Sequence, residues 1–267
     1  MILADCHTHT SFSSDSDSPL DAQIQAAIAA GLNTITITDH HDLDFPVPGL
    51  FQLEPESYVR ALQDAKARYD GQIRVLAGIE LGLQKAAATS IQKFWEKQLP
   101  FDFVIGSTHL VDGEDPYDAS YWKKRSPKEA YLRYYETLYE NVCQFDGYDV
   151  CGHLDYICRY GRREGAPYDI GDYWDIIEAI LRRLIDKGIG LEVNTAGMKD
   201  GFPFPNPEPE ILLRYREMDG ELITIGSDGH DPTRIGADFS KLSEMLARCG
   251  FHYYAVFENR KPRLYPI

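Results

Sequence analysis

The sequence predicts an α/β barrel, and three observations carry that expectation. Short β-branched or apolar runs alternate with stretches of helical period, the chain is 267 residues long, and nearly every apolar run is closed by His, Asp, Glu or Asn. Strand alternating with helix implies a parallel sheet with right-handed crossovers. Seven such units favour closure over an open sheet, and a barrel of this kind typically needs about 250 residues. No Gly/Ser linker, like-charge run or short repeat divides the chain, so residues 1–267 read as one domain.

The strand runs are 2–6, 34–38, 74–79, 101–107, 149–152, 190–193 and 222–227. Between them the helical candidates are 21–30, 54–69, 126–145, 174–187, 209–218 and 241–249. The best helix start is Ser126-Pro127-Lys128-Glu129, with a hydroxyl cap, proline at the first helical position and an acid three residues after the cap. The stripe Tyr131, Tyr134, Tyr135, Leu138 and Val142 that follows has helical spacing and reads as core packing.

The strand runs end on His7 and His9, Asp39 and His40, Glu80, Thr108 and His109, His153, Asn194, and Asp228 and His230. Of eight histidines, only His252 is away from those ends. In a parallel barrel the C-terminal strand ends converge on one face, so these residues should meet in one bowl. His7-Thr8-His9 and Asp228-Gly229-His230 are spaced i, i+2, which on extended backbone turns both members of each pair to one face. Imidazole with carboxylate and no thiolate suits zinc, iron or manganese at a hydrolytic centre. One ion would leave most of the donors unused, so a cluster is expected.

Acidic residues outnumber basic ones by 42 to 27, a formal charge of −15. A surface this acidic repels a polyanion, which argues against nucleic acid as a partner. No apolar run reaches the ~18 residues of a membrane span, and the first residues lack the basic segment of a secretory signal. Five cysteines without a C-x-x-C pair read as reduced thiols, hence a cytoplasmic setting. On oligomeric state the sequence is silent.

The motifs together resemble one known family. Asp5-Cys6-His7-Thr8-His9 through Asp15, Thr38-Asp39-His40, Gly78-Ile79-Glu80, Gly106-Ser107-Thr108-His109, Gly152-His153-Leu154-Asp155-Tyr156 and Gly226-Ser227-Asp228-Gly229-His230 resemble the PHP (polymerase and histidinol phosphatase) metallo-phosphoesterases. Asp115-Pro116-Tyr117, the segment from His153 to Tyr160 with Arg159, and the run Leu191 to Gly197 are similar to the branch that hydrolyses L-histidinol phosphate in histidine biosynthesis. The resemblance implies a distorted, TIM-like (β/α)7 barrel and three divalent metal ions. It places His7, His9, Glu80 and Asp228 on the first ion, Glu80, His109 and His153 on the second, and Asp15, His40 and His230 on the third. Asp17 is a second acid close to Asp15. The chain departs from that branch after Gly197, where Met198-Lys199 stands in place of a common arginine; lysine keeps the charge without the bidentate fork.

These residues assign a mechanism for a small phosphate ester. Paired ions about 3.5–4 Å apart share a water-derived nucleophile that Asp228 orients. Arg159, Tyr117 and Lys199 are expected on the phosphate oxygens. His41, beside His40, is the candidate general acid, with a supporting role as its alternative. Asp42, Asp44, Glu114 and Asp115 form an acidic face suited to a cationic substrate tail. The competing readings are another PHP activity on phosphotyrosine or nucleic-acid ends, an amidohydrolase, and a metal-stabilised binding module. An amidohydrolase usually carries a bridging lysine after its fourth strand, where this chain has His109.

Overall fold

The computed structural model describes residues 1–199 and 201–267, without the side chain of Lys199. In chain order the elements are β1 (Ala4–Asp5), α1 (Leu20–Ala29), β2 (Thr34–Ile37), β3 (His40–His41), α2 (Pro55–Arg68), β4 (Arg74–Gly82), α3 (Ala88–Glu96), β5 (Phe103–Ser107), α4 (Ala119–Lys123), α5 (Pro127–Gln144), β6 (Val150–Cys151), α6 (Ile157–Arg163), α7 (Trp174–Lys187), β7 (Gly190–Asn194), α8 (Ala196–Lys199), α9 (Pro209–Glu217), β8 (Ile223–Gly226), α10 (Leu242–Arg248), β9 (Tyr253–Glu258) and β10 (Lys261–Pro266).

All seven expected runs are strands of one parallel sheet, whose path is β1-β2-β4-β5-β6-β7-β8. β3 resumes the course of β2 after a break at Thr38-Asp39 and pairs with β4, His40 opposite Glu80. Backbone bonds from Cys6 N–H to Ile225 O (2.9 Å), Asp228 N–H to His7 O (2.8 Å) and His9 N–H to Gly229 O (3.0 Å) join the first strand region to the last and close the barrel. Both faces of these strands are covered, which is why they read as continuous apolar runs: Ile35, Ile37, Ile79, Val104, Ile105, Leu191, Val193, Ile223 and Ile225 are all buried.

α5 begins at the expected capping box, with Ser126 and Glu129 bonded reciprocally, and its tyrosine stripe is buried in the core. α3, α4, α6 and the C-terminal hairpin were not anticipated. α3 and α6 are short, and each buries only two apolar side chains, Ile91 with Phe94 and Ile157 with Cys158. β9 and β10 turn through Asn259 (φ 51°) and Arg260 (φ 62°). A turn with two positive φ values usually announces itself with glycine, and this one has none. The hairpin lies beneath the barrel: Asn259 N–H donates to Asp102 (3.0 Å), Arg260 Nε to Asp149 (2.7 Å), and Phe257 stacks on Phe103. Asp102 and Asp149 precede β5 and β6, so the hairpin covers the N-terminal end and leaves the C-terminal end open. Among the described residues no helix is long and apolar enough to cross a membrane.

Candidate active site

Glu80, fully buried on β4, is the centre of the C-terminal bowl. Its Oε1 lies 3.0 Å from His153 Nε2, 3.1 Å from His109 Nε2, and accepts from Ser107 Oγ at 2.7 Å. Its Oε2 lies 2.9 Å from His40 Nδ1, 3.2 Å from His7 Nε2 and 3.5 Å from His9 Nε2. Around this carboxylate, Asp228 Oδ1 is 3.3 Å from His9 Nε2, and Asp15 Oδ2 is 3.1 Å from His230 Nε2 and 3.6 Å from His40 Nε2. All nine residues expected as ligands therefore meet in one cluster. Asp17 is exposed.

The donor atoms of His7, His9 and Glu80 lie within 4.8 Å of one another, as do those of Glu80, His109 and His153, of His9, His40 and His230, and of His40, Asp42 and His109. Ligands on a tetrahedral zinc with bonds of about 2.0–2.1 Å sit roughly 3.3–3.4 Å apart, close to the separations seen here. Glu80 Oε2, His40 Nδ1 and Asp42 Oδ1 are buried without a hydrogen-bond partner, with His40 Nδ1 2.9 Å from Glu80 Oε2 and 4.0 Å from Asp42 Oδ1. Orphaned acceptors aimed at each other are costly unless a cation lies between them, so the donor set fits divalent ions.

The far nitrogens of the rings are held from behind. His7 Nδ1 meets Glu192 Oε1 at 2.5 Å, His109 Nδ1 meets Asp42 Oδ2 at 2.7 Å, and His9 Nδ1 meets Ser13 Oγ at 3.0 Å. Ser13 in turn donates to Asp39 at 2.7 Å. Such partners keep the outer nitrogen protonated and aim the Nε2 lone pair inward. Close approach makes two glycines necessary: a Cβ on Gly226 would sit 2.7 Å from Glu192 Oε1, and one on Gly82 would sit 2.4 Å from Asp42 Cγ. Glu192 escaped the sequence reading, although it shares a strand face with Asn194 two residues on.

Electrostatics tie the cluster together. Burial opposes ionisation of Glu80, but His7, His40 and His109 hold its carboxyl well below the usual range. Burial likewise favours neutral His7, yet Glu192, Glu80 and Asp228 raise it well above the ordinary value, and His109 is raised against burial by Asp42 and Glu80. Asp228 adopts φ 52°, a left-handed conformation that Asp tolerates better than most residues. The Asp228-Gly229-His230 segment is therefore not extended as expected, and the kink itself turns both side chains into the bowl.

Beyond the cluster opens a cavity of about 740 Å³, lined by Asp15, His40, His109, His153, Asp228 and His230 at its floor and by Arg159, Tyr117, Tyr156 and Tyr160 on one side. Arg159 donates Nη2 to Asn194 Oδ1 (2.8 Å) and Nε to Asn206 Oδ1 (3.0 Å), with Nη1 3.4 Å from Asp228 Oδ2. Tyr117 is 57% exposed at the rim. The side chain of Lys199 lies outside the described residues. Phe45, Val47, Leu50 and Phe51 form an apolar wall, which the sequence reading did not assign.

The structure places two expected groups differently. His41 does not line the cavity: its ring is buried against Phe94 (centroids 5.0 Å apart), and burial lowers its pKa to about 4. The acidic face is also smaller than expected. Asp42 is engaged by His109, Asp44 accepts from Ser90 (2.6 Å), and Glu114 is paired with Lys124 and Arg125, so of that face Asp115 and Asp118 are the acids best placed on the cavity wall, above Asp15 and Asp228 at the floor.

A family model described as the PHP domain matches residues 5–196. The chain belongs to the PHP domain family. This PHP chain is 31% identical over 262 residues to the histidinol-phosphatase of Lactococcus lactis subsp. lactis, spanning 96% of the chain and 95% of that protein. It is 31% identical over 259 residues to a probable histidinol-phosphatase of Clostridium acetobutylicum, spanning 97% and 98%. The crystal structure of the Lactococcus lactis histidinol phosphate phosphatase, complexed with zinc, L-histidinol and phosphate, matches with a TM-score of 0.87 at 30% identity, over 97% of this PHP chain and 98% of that one. Metal-dependent tyrosine phosphatases of Bacillus subtilis and Streptococcus pneumoniae share the fold, with a TM-score of 0.51 at 19% identity over 92% and 86% of the chains.

Proposed function

We propose that the chain is a metal-dependent phosphoric monoester hydrolase that converts L-histidinol phosphate to L-histidinol and phosphate in histidine biosynthesis. The observation that carries the reading is Glu80 held between two sets of imidazoles beside a cavity containing Arg159. Near full-length likeness to an enzyme crystallised with zinc, L-histidinol and phosphate supports it.

His7, His9, Glu80 and Asp228 would hold one ion, Glu80, His109 and His153 a second, and Asp15, His40 and His230 a third. When bound, such ions polarise the phosphate and lower the pKa of water, giving a nucleophile at neutral pH. The protein does the rest. Arg159 and Tyr117 bind and orient the phosphate oxygens, and Arg159 stabilises charge that grows in the transition state. Asp228, facing Arg159 and Asn194, orients the attacking water. Asp115, partly withdrawn from solvent, receives the ammonium of the substrate, and its carboxyl, raised by burial, returns towards ionisation beside that cation. A reducing, cytoplasmic compartment agrees with the five free cysteines.

Phosphate release, measured on histidinol phosphate, amine-free alkyl phosphates, phosphotyrosine, nucleotides and short DNA after loading with zinc, iron or manganese, tests the reading. Histidinol phosphate should be turned over with the highest kcat/KM. Equal efficiency on amine-free esters would remove the role of Asp115, and preference for phosphotyrosine or DNA would replace the assignment.

A further inference from the structure

We infer that Asn206 is a positioning residue for phosphate binding, acting through Arg159; this rests on the phosphate role proposed above for Arg159. Asn206 lies in the loop before α9, outside every motif quoted above, and is only 3% exposed. Its Oδ1 accepts from Arg159 Nε at 3.0 Å, and its Nδ2 donates to the buried Asp155 Oδ1 at 2.6 Å. Asp155 is anchored in turn by the backbone N–H of Glu208 (2.9 Å to Oδ2).

The loop is fixed to the barrel at the same point. Asn194 and Asn206 exchange backbone bonds of 2.7 and 2.8 Å, so the last residue of β7 and this loop residue form a two-residue ladder. Their side chains accept from two adjacent nitrogens of the guanidinium, Nη2 going to Asn194 and Nε to Asn206. Two separate acceptors along the group help fix its plane, and loss of the Asn206 oxygen removes the one that holds the Nε end. The amide can have only one orientation here: Asp155, a carboxylate, accepts, so Nδ2 must face it and Oδ1 must face Arg159. Gly197 leaves the necessary room, since a Cβ there would come within 2.5 Å of Asn206 Oδ1. This is a reason for glycine at 197 that is separate from any role of the residues after it.

The test is a double-mutant cycle on the metal-loaded enzyme, read by KM and kcat for histidinol phosphate and by the inhibition constant of inorganic phosphate. Asn206→Ala should raise both KM and the phosphate inhibition constant about tenfold while kcat falls less, because the plane of the clamp is lost and the charge retained. In an Arg159→Ala background, Asn206→Ala should add nothing. Gly197→Ala should reproduce the single-variant effect by displacing the amide. The exchanged pair Asn206→Asp with Asp155→Asn keeps an acceptor for Arg159 and a donor across the pair, so it should recover phosphate binding that Asn206→Asp alone loses. Additive effects in the cycle, or failure of the exchanged pair to recover although it unfolds at the wild-type temperature, would overturn the inference while leaving the phosphate role of Arg159 in place. If Arg159→Ala leaves the phosphate inhibition constant unchanged, the reading of Arg159 falls, and this inference falls with it.

Discussion

Glu192 does not line the cavity, yet it governs the site from behind His7, where its carboxylate and the imidazole are both sealed from water. Glu192→Gln keeps the shape and removes the charge that aims the ring. Metal content after dialysis against graded chelator should then correspond to an affinity loss of about 10–100-fold, and an unchanged metal content would mean the carboxylate is dispensable. A second acid, half-buried, acts on stability. Burial, with Asp155 and Glu210 adding to it, raises Glu208 from 4.5 to about 8, and its Oε1 has no hydrogen-bond partner. The folded state prefers the protonated acid. Its stabilising preference is therefore complete below about pH 4.5 and is lost as pH rises through about 8. Glu208→Gln should remove that loss, raising stability at pH 8.5 relative to wild type by about 1 kcal/mol after allowance for partial exposure, with little difference at pH 5. Thermal unfolding at the two pH values measures it. Residues of this kind explain the limit of the sequence reading. Eight of the nine expected ligand positions were legible because each follows a strand run, and Asp15 came from the resemblance alone, while Glu192, Asn206 and the apolar wall from Phe45 to Phe51 depend on neighbours that only the folded chain supplies.

α6 shows how one short element delivers two functions. Arg159 points from it into the cavity, and one turn later Arg163 donates to the carbonyl of Tyr117 and stacks over the rings of Tyr117 and Tyr160 (4.7 and 5.2 Å). Its fit against α5 depends on Gly161, where a Cβ would meet Tyr131 Oη at 1.9 Å and Trp122 at 2.8 Å. Gly161→Ala must therefore shift the helix. The expected result is a raised KM through both Arg159 and Tyr117, together with destabilisation of roughly 1–3 kcal/mol from overpacking; wild-type kinetics in a stably folded variant would contradict the coupling. The sequence showed the long elements better than such short ones. α5 carries a capping box and a full tyrosine stripe, whereas α6 offers arginines and a glycine, and its helical state comes from packing rather than pattern. The C-terminal hairpin was hidden for a different reason, since Asn259-Arg260 makes its turn without glycine.

At the scale of the molecule, the acidity that argues against nucleic acid does not extend into the proposed pocket, where bound cations would outweigh the ligand carboxylates. The alternation of strands and helices made the barrel readable, because both faces of a parallel sheet must be covered and that requirement is written in every apolar run. What the sequence did not reveal is how lightly the barrel is joined to itself. β1 has two residues, and the closing bonds lie around Cys6, His7 and His9 on one side and Ile225, Asp228 and Gly229 on the other; the Ser227 N–H reaches Asp5 across 222 positions. His7 and His9 stand on one lip of that seam and Asp228 on the other. An ion gripped by all three would staple the beginning of the chain to its end, closing a very large loop much as a disulfide would. Chelation should accordingly speed hydrogen exchange at the His9 and Asp228 amides well before the amides of β4 and β5 respond. Uniform acceleration across the barrel would show that the seam holds without its staple.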